Sequence, residues 1–189
     1  MSATQPVRSR QQIRELTGYY LERGETRNHL LIVLGVHTAL RISDLLCLTW
    51  DDVYDFNRKR FRRSLTITER KTRKPKLITL NRAIVSALHL CLACARQGDP
   101  LLKSRKGGAI SRIQAYRIIR TAAEELGVCA RVSCHSLRKT FGYHAWKSGI
   151  SPVVIMDIYN HTSFAVTRRY LGLTQDDKDA AYHRVAEIF

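Results

Sequence analysis

The stretch Asn160-His161-Thr162-Ser163-Phe164-Ala165-Val166-Thr167-Arg168-Arg169-Tyr170 sets a histidine nine residues ahead of a tyrosine, with two arginines directly before the tyrosine. Residues 163–171 read as a short helix, so the histidine sits in the turn that precedes it. Upstream, Cys134-His135-Ser136-Leu137-Arg138-Lys139-Thr140 places His135 and Arg138 at i and i+3, on one helix face. Further upstream, Thr38-Ala39-Leu40-Arg41-Ile42-Ser43-Asp44 puts an arginine at a helix start. Between these lies a very basic segment with Lys71 at its middle.

Composition narrows what such residues act on. The chain of 189 residues is 44% hydrophobic, which fits one folded domain with a sizeable core. No run approaches the ~18 apolar residues that span a bilayer, and residues 1–6 lack the apolar core of a secretory signal. A cytoplasmic, nucleoid-associated protein is expected. Lys and Arg number 32 against 16 Asp and Glu, a net charge of +16. The excess is one-sided: residues 58–76 carry ten Lys/Arg and a single acid, Glu69, and residues 126–156 carry no acid. Such a field suits an extended polyanion better than a membrane, because no amphipathic helix pairs the cations with exposed Trp or Phe. Five cysteines form neither a disulfide framework nor a paired zinc spacing; Cys91 and Cys94 are expected to be small buried residues on the apolar face of a helix.

Along the chain, residues 1–10 read as a loose arm. Helices are expected over 11–22, ended by Gly24, over 28–38 with Thr26 as a candidate cap, and over 39–48. The period then changes. Residues 53–56, 61–68 and 76–80 alternate β-branched and aromatic residues and predict a small antiparallel three-stranded sheet, its last turn running through Arg70-Lys71-Thr72-Arg73-Lys74-Pro75. Helices follow from Asn81 to about Gln97, from Ser111 to Leu126 with Gly127 as stop, from Ser133 or Ser136 to Gly149, from Pro152 to Ile158, and over 175–188. The fold class is α+β, mostly helical.

Each chemical candidate has an ordinary structural explanation when taken alone. Arg41 could be a core-edge arginine; as a phosphate ligand it offers a permanently charged fork, with Asp44 one turn on to orient it. His135 and Arg138 could be a surface pair. Lys71 could be a solvated cation at a hairpin tip, or an acid for a leaving oxygen. His161 and Tyr170 could both be structural, and the chain has eight tyrosines. Together, two arginines, two histidines, a lysine and a tyrosine are the parts needed to break and rejoin a phosphodiester, with a phenol pushed toward phenolate by nearby cations.

In this order and spacing, Thr38-Ala39-Leu40-Arg41-Ile42-Ser43-Asp44-Leu45, Lys71-Thr72 within the strand segment, His135-Ser136-Leu137-Arg138-Lys139-Thr140, and Asn160-His161 with Tyr170 resemble the tyrosine recombinase (phage integrase) family. The resemblance covers nearly all of residues 28–175. It implies a catalytic domain over 28–175 behind an arm and first helix at 1–27, with a C-terminal helix at 176–189 whose apolar face of Ala180, Ala181, Val185, Ala186, Ile188 and Phe189 suits packing into a neighbouring protomer, as is common in the family, or onto its own domain. It implies that Arg41 and Arg138 hold the scissile phosphate, that His161 adds a hydrogen bond, and that His135 assists proton transfer. Tyr170 would be the nucleophile, forming a 3′-phosphotyrosine, and Lys71 would protonate the departing 5′-hydroxyl. Arg70, Arg73, Lys74, Lys139 and Arg168 would touch DNA. Double-stranded DNA, a homotetramer on it and accessory DNA-bending proteins are the implied partners; no cofactor or metal is implied. Two departures stand out. Asn160 replaces the family's usual glycine, and only residues 1–27 precede the catalytic region, as in the short fimbrial-switch recombinases. The rivals to site-specific recombination are relaxation of the topoisomerase IB type and a non-catalytic DNA-binding regulator on the same scaffold.

Overall fold

The computed structural model of the protein describes residues 4–128, 132–173 and 175–187. Helix α1 covers Arg10–Gly18, with Ser9 Oγ accepting from the Gln12 N–H. It stops earlier than expected because residues 19–24 turn back to bury Tyr19 and Tyr20, and the Tyr20 hydroxyl donates to the Ile118 carbonyl at 2.8 Å. Helix α2, Thr26–His37, is buried from Asn28 to Val36, as an element apolar all round must be. Gly35 lets another helix approach closely: a Cβ there would lie 2.6 Å from Leu137 Cδ1.

The helix expected over 39–48 contracts to α3, Ile42–Leu45. Ala39 sits at φ 54° and Arg41 is extended at ψ 147°, so the chain leaves helical geometry just before the arginine. Helix α4, Trp50–Val53, is closed by a Thr49–Asp52 capping box. The fold class is α+β as expected, but the sheet is not three-stranded. Strands β1 (Tyr54–Asp55) and β2 (Arg60–Phe61) form one antiparallel pair, and β3 (Ser64–Thr68) and β4 (Pro75–Thr79) another. The expected middle strand breaks at Arg62–Arg63, where the Arg62 N–H bonds to the Val53 carbonyl while the Arg63 carbonyl accepts from Leu80. One residue thus serves each neighbour, and the ladder splits. Pro75 opens β4, where no ladder donor is lost.

Helix α5, Arg82–Cys91, ends in a 3-10 turn at Leu92–Cys94. That turn rotates Cys94 off the apolar face: Cys94 is exposed and Cys91 half-buried, against the expectation that both are buried, and Cys129 lies outside the described residues. Helices α6 (Arg112–Glu125), α7 (Cys134–Lys147), α8 (Pro152–Tyr159) and α9 (Phe164–Leu171) complete the frame, the first three capped by the side chains of Ser111, Ser133 and Ser151, while Ser163 holds the N-cap position of α9 without a side-chain bond. The main core gathers α2, α5, α6 and the strands, each fully buried Leu or Ile there contributing about 1.5–3 kcal/mol. A second, smaller core of Ala39, Ala145, Ile155, Tyr159 and Leu171 underlies Tyr170.

The arm is not loose. Val7 is buried, its N–H donates to Thr140 Oγ1 at 2.9 Å, and its carbonyl lies 3.0 Å from His144 Nε2. Residues 4–8 therefore lie along α7. Helix α10, Gln175–Ala186, is anchored to α7 by the Lys147–Asp177 ion pair, and its side chains are exposed from Lys178 onward. Ile188 and Phe189 fall outside the described residues. Among those described, no helix is long and apolar enough to cross a membrane.

Candidate active site

Arg41, Lys71, His135, Arg138, His161 and Tyr170 line one open cleft of about 710 Å³. They arrive from the N-cap of α3, the β3–β4 hairpin, the first turns of α7, the turn after α8 and the last turns of α9. Segments far apart in sequence thus converge on a space the size of a nucleotide phosphate and its surroundings. Ser43, Arg112 and Tyr116 share the lining.

Arg138 is the largest fully buried side chain, so it is no surface cation. Its Nη1 donates to the Ala39 carbonyl, its Nη2 to the Tyr159 carbonyl at 3.0 Å, and its guanidinium lies 4.5 Å over the Tyr159 ring. Burial, and then the charge of Arg41, lower its pKa. Tyr159 closes the loop by donating its hydroxyl to the Arg138 carbonyl at 2.6 Å. The side chain is held at both ends, so the direction of its fork is set before any ligand arrives.

Arg41 is oriented by a different carboxylate from the one expected. Asp44 turns away to accept the Arg70 N–H at 3.0 Å, and the partner of Arg41 is Glu69, with Nη1 2.8 Å from Oε2. The contact is close, but its N–H direction is not that of a hydrogen bond. Arg41 Nη1, Arg138 Nε, Glu69 Oε1 and Asp44 Oδ2 are buried atoms without a hydrogen-bond partner among the described residues. Two unfilled guanidinium donors beside a cleft suit an anion with several acceptor oxygens.

Asn160 adopts φ 54°, ψ 36°, the left-handed conformation in which a glycine is usual and asparagine is tolerated. It turns the chain so that His161 stacks on Tyr159, ring centroids 5.0 Å apart. His161 Nδ1 meets buried Thr167 Oγ1 at 3.0 Å, leaving Nε2 for the cleft. The Tyr170 ring stands 4.8 Å from His161, 5.1 Å from His135 and 4.9 Å from Tyr159. His135 stands at the exposed rim, yet desolvation by the cleft walls and the charges of Lys139, Arg138, Arg41 and Lys71 bring its pKa down to about 4. Burial, then Arg138 and Arg41, bring His161 to about 4 as well. Both are neutral at pH 7 and able to accept or share a proton.

The outer cations divide. Arg70, Arg73, Lys74 and Arg168 are exposed. Lys139 is not a surface contact: it is 7% exposed, its Nζ donates to the Thr4 carbonyl at 2.5 Å, and it lies 5.8 Å from the centre of the Tyr170 ring. The helical turn that puts His135 and Arg138 at the cleft carries Lys139 inward.

Three participants escaped the sequence pattern. Glu69 was visible as the lone acid of the basic run, a signal that marks a paired charge. Lys76 is buried with its Nζ 3.2 Å from the Ala39 carbonyl, and burial with the repulsion of Arg138 lowers its pKa to about 7. Tyr159, which holds Arg138 and His161, looked like any core aromatic.

A profile described as the phage integrase family matches residues 9–176. The chain is 37% identical over 183 residues to a probable integrase/recombinase, YoeC, of Bacillus subtilis, covering 96% of this chain and 97% of that one. It is 32% identical to the type 1 fimbriae regulatory protein FimE of Escherichia coli K12, over 76% of this chain and 73% of FimE. Against the tyrosine recombinase XerD of Mycobacterium tuberculosis, at 30% identity, the match takes 78% of this chain but only 48% of XerD. In three dimensions, the XerH recombinase bound to a palindromic difH substrate in a post-cleavage complex superposes with TM-score 0.78 at 19% identity, over 96% of this chain and 53% of that one. XerA recombinase gives 0.76 at 23%, over 96% and 66%. The profile match runs through every residue of the cleft, and the near full-length likeness to YoeC accounts for the rest: the chain belongs to the phage integrase family.

Proposed function

We propose that the protein is a site-specific DNA recombinase that cuts and rejoins strands through a 3′-phosphotyrosine on Tyr170. The observation that carries this is the single cleft where Tyr170 meets Arg41, Lys71, His135, Arg138 and His161. Arg41 and Arg138 take the non-bridging oxygens of the scissile phosphate, where charge builds in the transition state. Nε2 of His161 adds a hydrogen bond. Tyr170 attacks phosphorus in line, neutral His135 receives or relays the phenolic proton, and Lys71 protonates the departing 5′-oxygen. The bond energy stays in the phosphotyrosine, and a 5′-hydroxyl from a second strand reverses the step.

Double-stranded DNA is the substrate, met by the exposed cations of the hairpin and by Arg168. Several of the similar solved structures are recombinases or integrases in complex with DNA, one a lambda integrase dimer on a core site. A homo-oligomer on DNA follows from the chemistry, since strand exchange needs two cut duplexes. Exposed Ala180, Ala181 and Val185 on α10 offer the face through which protomers would join. Accessory DNA-bending proteins and a nucleoid location accompany this activity.

The test is Tyr170→Phe on nicked duplexes built from the repeats flanking the gene. Binding persists and the covalent adduct disappears. An adduct that survives makes another tyrosine the nucleophile, with Tyr182, 77% exposed on α10, the first to try. Relaxation of supercoils without site preference would assign the topoisomerase activity instead.

A further inference from the structure

Glu69 touches three parts of the site at once, although it does not line the cleft. Its side chain is fully buried. Oε2 lies 2.8 Å from Arg41 Nη1, accepts from Thr72 Oγ1 at 2.7 Å and from Asn160 Nδ2 at 3.3 Å. Oε1 lies 3.7 Å from Arg138 Nη1. The carboxylate contacts both guanidinium groups without itself lining the cleft. From it, links run to each arginine, to the turn that carries His161, and to the hairpin tip beside Lys71. A second link reinforces the hairpin end: the Arg70 N–H donates to Asp44, three residues after Arg41. Lys71 is therefore flanked on both sides by residues tied to the Arg41 segment.

From this geometry we infer that Glu69 is a positioning residue that couples the Lys71 hairpin to the two-arginine clamp, so that acid and phosphate ligands are aligned together. The inference rests on the recombinase activity proposed above. An exposed lysine on a four-carbon stem has many conformers, and a hairpin free to swing would spread them further. Fixing Thr72 and the Arg70 backbone against the clamp removes the swing and leaves only the stem to order. Asn160 acquires a purpose as well. A glycine would supply the same backbone conformation, but it could not reach Glu69. Burial pushes the Glu69 carboxyl up, but donation from Thr72, the close Arg41 charge and donation from Asn160 outweigh it and hold the pKa below the ordinary value. The carboxylate therefore stays charged throughout the working pH range.

The experiment measures single-turnover adduct formation by wild type, Thr72→Val, Glu69→Gln and Lys71→Ala on nicked duplexes carrying the flanking repeats. Each duplex is made with an ordinary 5′-oxygen or a 5′-bridging sulfur at the scissile phosphate. Sulfur leaves as thiolate and needs no acid. With oxygen, Thr72→Val slows cleavage about 10-fold and Glu69→Gln about 100-fold, the cost of a displaced group. With sulfur, Thr72→Val returns to within about 2-fold of wild type, as Lys71→Ala does, because only the acid was misplaced. Glu69→Gln recovers only in part, since it also loosens the clamp. Should Glu69→Gln fail to fold, Thr72→Val decides alone, because it deletes one hydroxyl and leaves the charges paired. A Thr72→Val defect equal on both substrates, or none on oxygen, overturns the coupling while the recombinase activity stands. Absence of adduct with wild type overturns the activity itself.

Discussion

Gly142 lies at the middle of α7 against Tyr159, and Gly142→Ala tests how tightly the frame behind the active site is packed. A Cβ built there meets Tyr159 Oη at 2.4 Å and ring carbons Cε2 and Cζ at 2.9 and 3.0 Å. To restore ordinary contact the hydroxyl must retreat by about 1 Å, which the packed interior resists. Overpacking costs about 1–3 kcal/mol. Breaking the 2.6 Å bond from Tyr159 Oη to the Arg138 carbonyl adds about 1 kcal/mol, and the helical preference of alanine returns about 1 kcal/mol. The net expectation is a loss of about 2 kcal/mol. Tyr159→Phe alone loses the hydrogen bond, about 1 kcal/mol. The double variant has no hydroxyl left to clash, so it should cost less than the sum of the singles by about 1 kcal/mol. Urea unfolding of the four proteins, read as midpoints at constant m, measures this. Additivity within about 0.5 kcal/mol would refute the claim that Tyr159 is wedged between Gly142 and Arg138.

Two further outcomes follow from other parts of the frame. Arg73 sits at φ 57° on the exposed hairpin, so Arg73→Gly should raise stability by up to about 1 kcal/mol by relieving a left-handed side-chain residue. The same change should make the log–log salt dependence of DNA binding shallower by about 1, as one phosphate contact is lost; an unchanged slope would remove Arg73 from the interface. Lys76, brought to about 7 from an ordinary 10.5, binds fewer protons folded than unfolded between those values. Stability should therefore rise with pH across 7 to 10.5, fully present above the unfolded value and lost as pH falls toward 7. Lys76→Met should lose that part of the slope in unfolding curves taken at pH 7 and pH 9, and an identical slope in both proteins would contradict the assignment.

Local rules read most of this chain well. Serine side chains cap α6, α7 and α8, and glycines follow α6, α7 and α9 where Asn160 ends α8; those signals act within one turn of helix. The six cleft residues were legible because each belongs to a short segment whose spacing is itself local. What escaped depends on contacts across the chain. The choice of Glu69 over Asp44 as partner of Arg41 is decided by a hairpin 28 positions away in sequence. The helical spacing of Leu40, Leu45 and Leu48 predicts a helix through Ala39. The carbonyl of Ala39 is claimed instead by Arg138 and Lys76, two buried donors with few other acceptors, and the backbone turns to meet them. Lys139 looked like a DNA contact because charge usually means surface; only the arm folded along α7 supplies the Thr4 carbonyl that holds it inside.

The same accounting of charge yields a prediction about binding. Around the cleft, burial first, and then the mutual repulsion of the clustered cations, depresses the pKa values of Lys76, His135 and His161, with Glu69 as an opposing charge at Lys76 and His161. A phosphate seated on the arginines adds negative charge within Coulomb reach of all three, which favours their protonated forms. Lys76 should then return toward its ordinary value while the free protein keeps it near 7. At pH 8 the free lysine is about one-tenth protonated; the phosphate offsets the repulsion of the arginines but not the burial, so binding takes up a fraction of a proton per protomer. Affinity should weaken as pH rises above 7, where the bound state needs a proton the free state has lost. The histidines add a second uptake between about 4 and 6.5, so affinity strengthens further as pH falls through that range. Calorimetry of DNA binding in buffers of different ionisation enthalpy reads the proton count directly. Zero uptake at pH 8, or uptake unchanged in Lys76→Met, would mean that the phosphate does not lie where the two guanidinium forks converge.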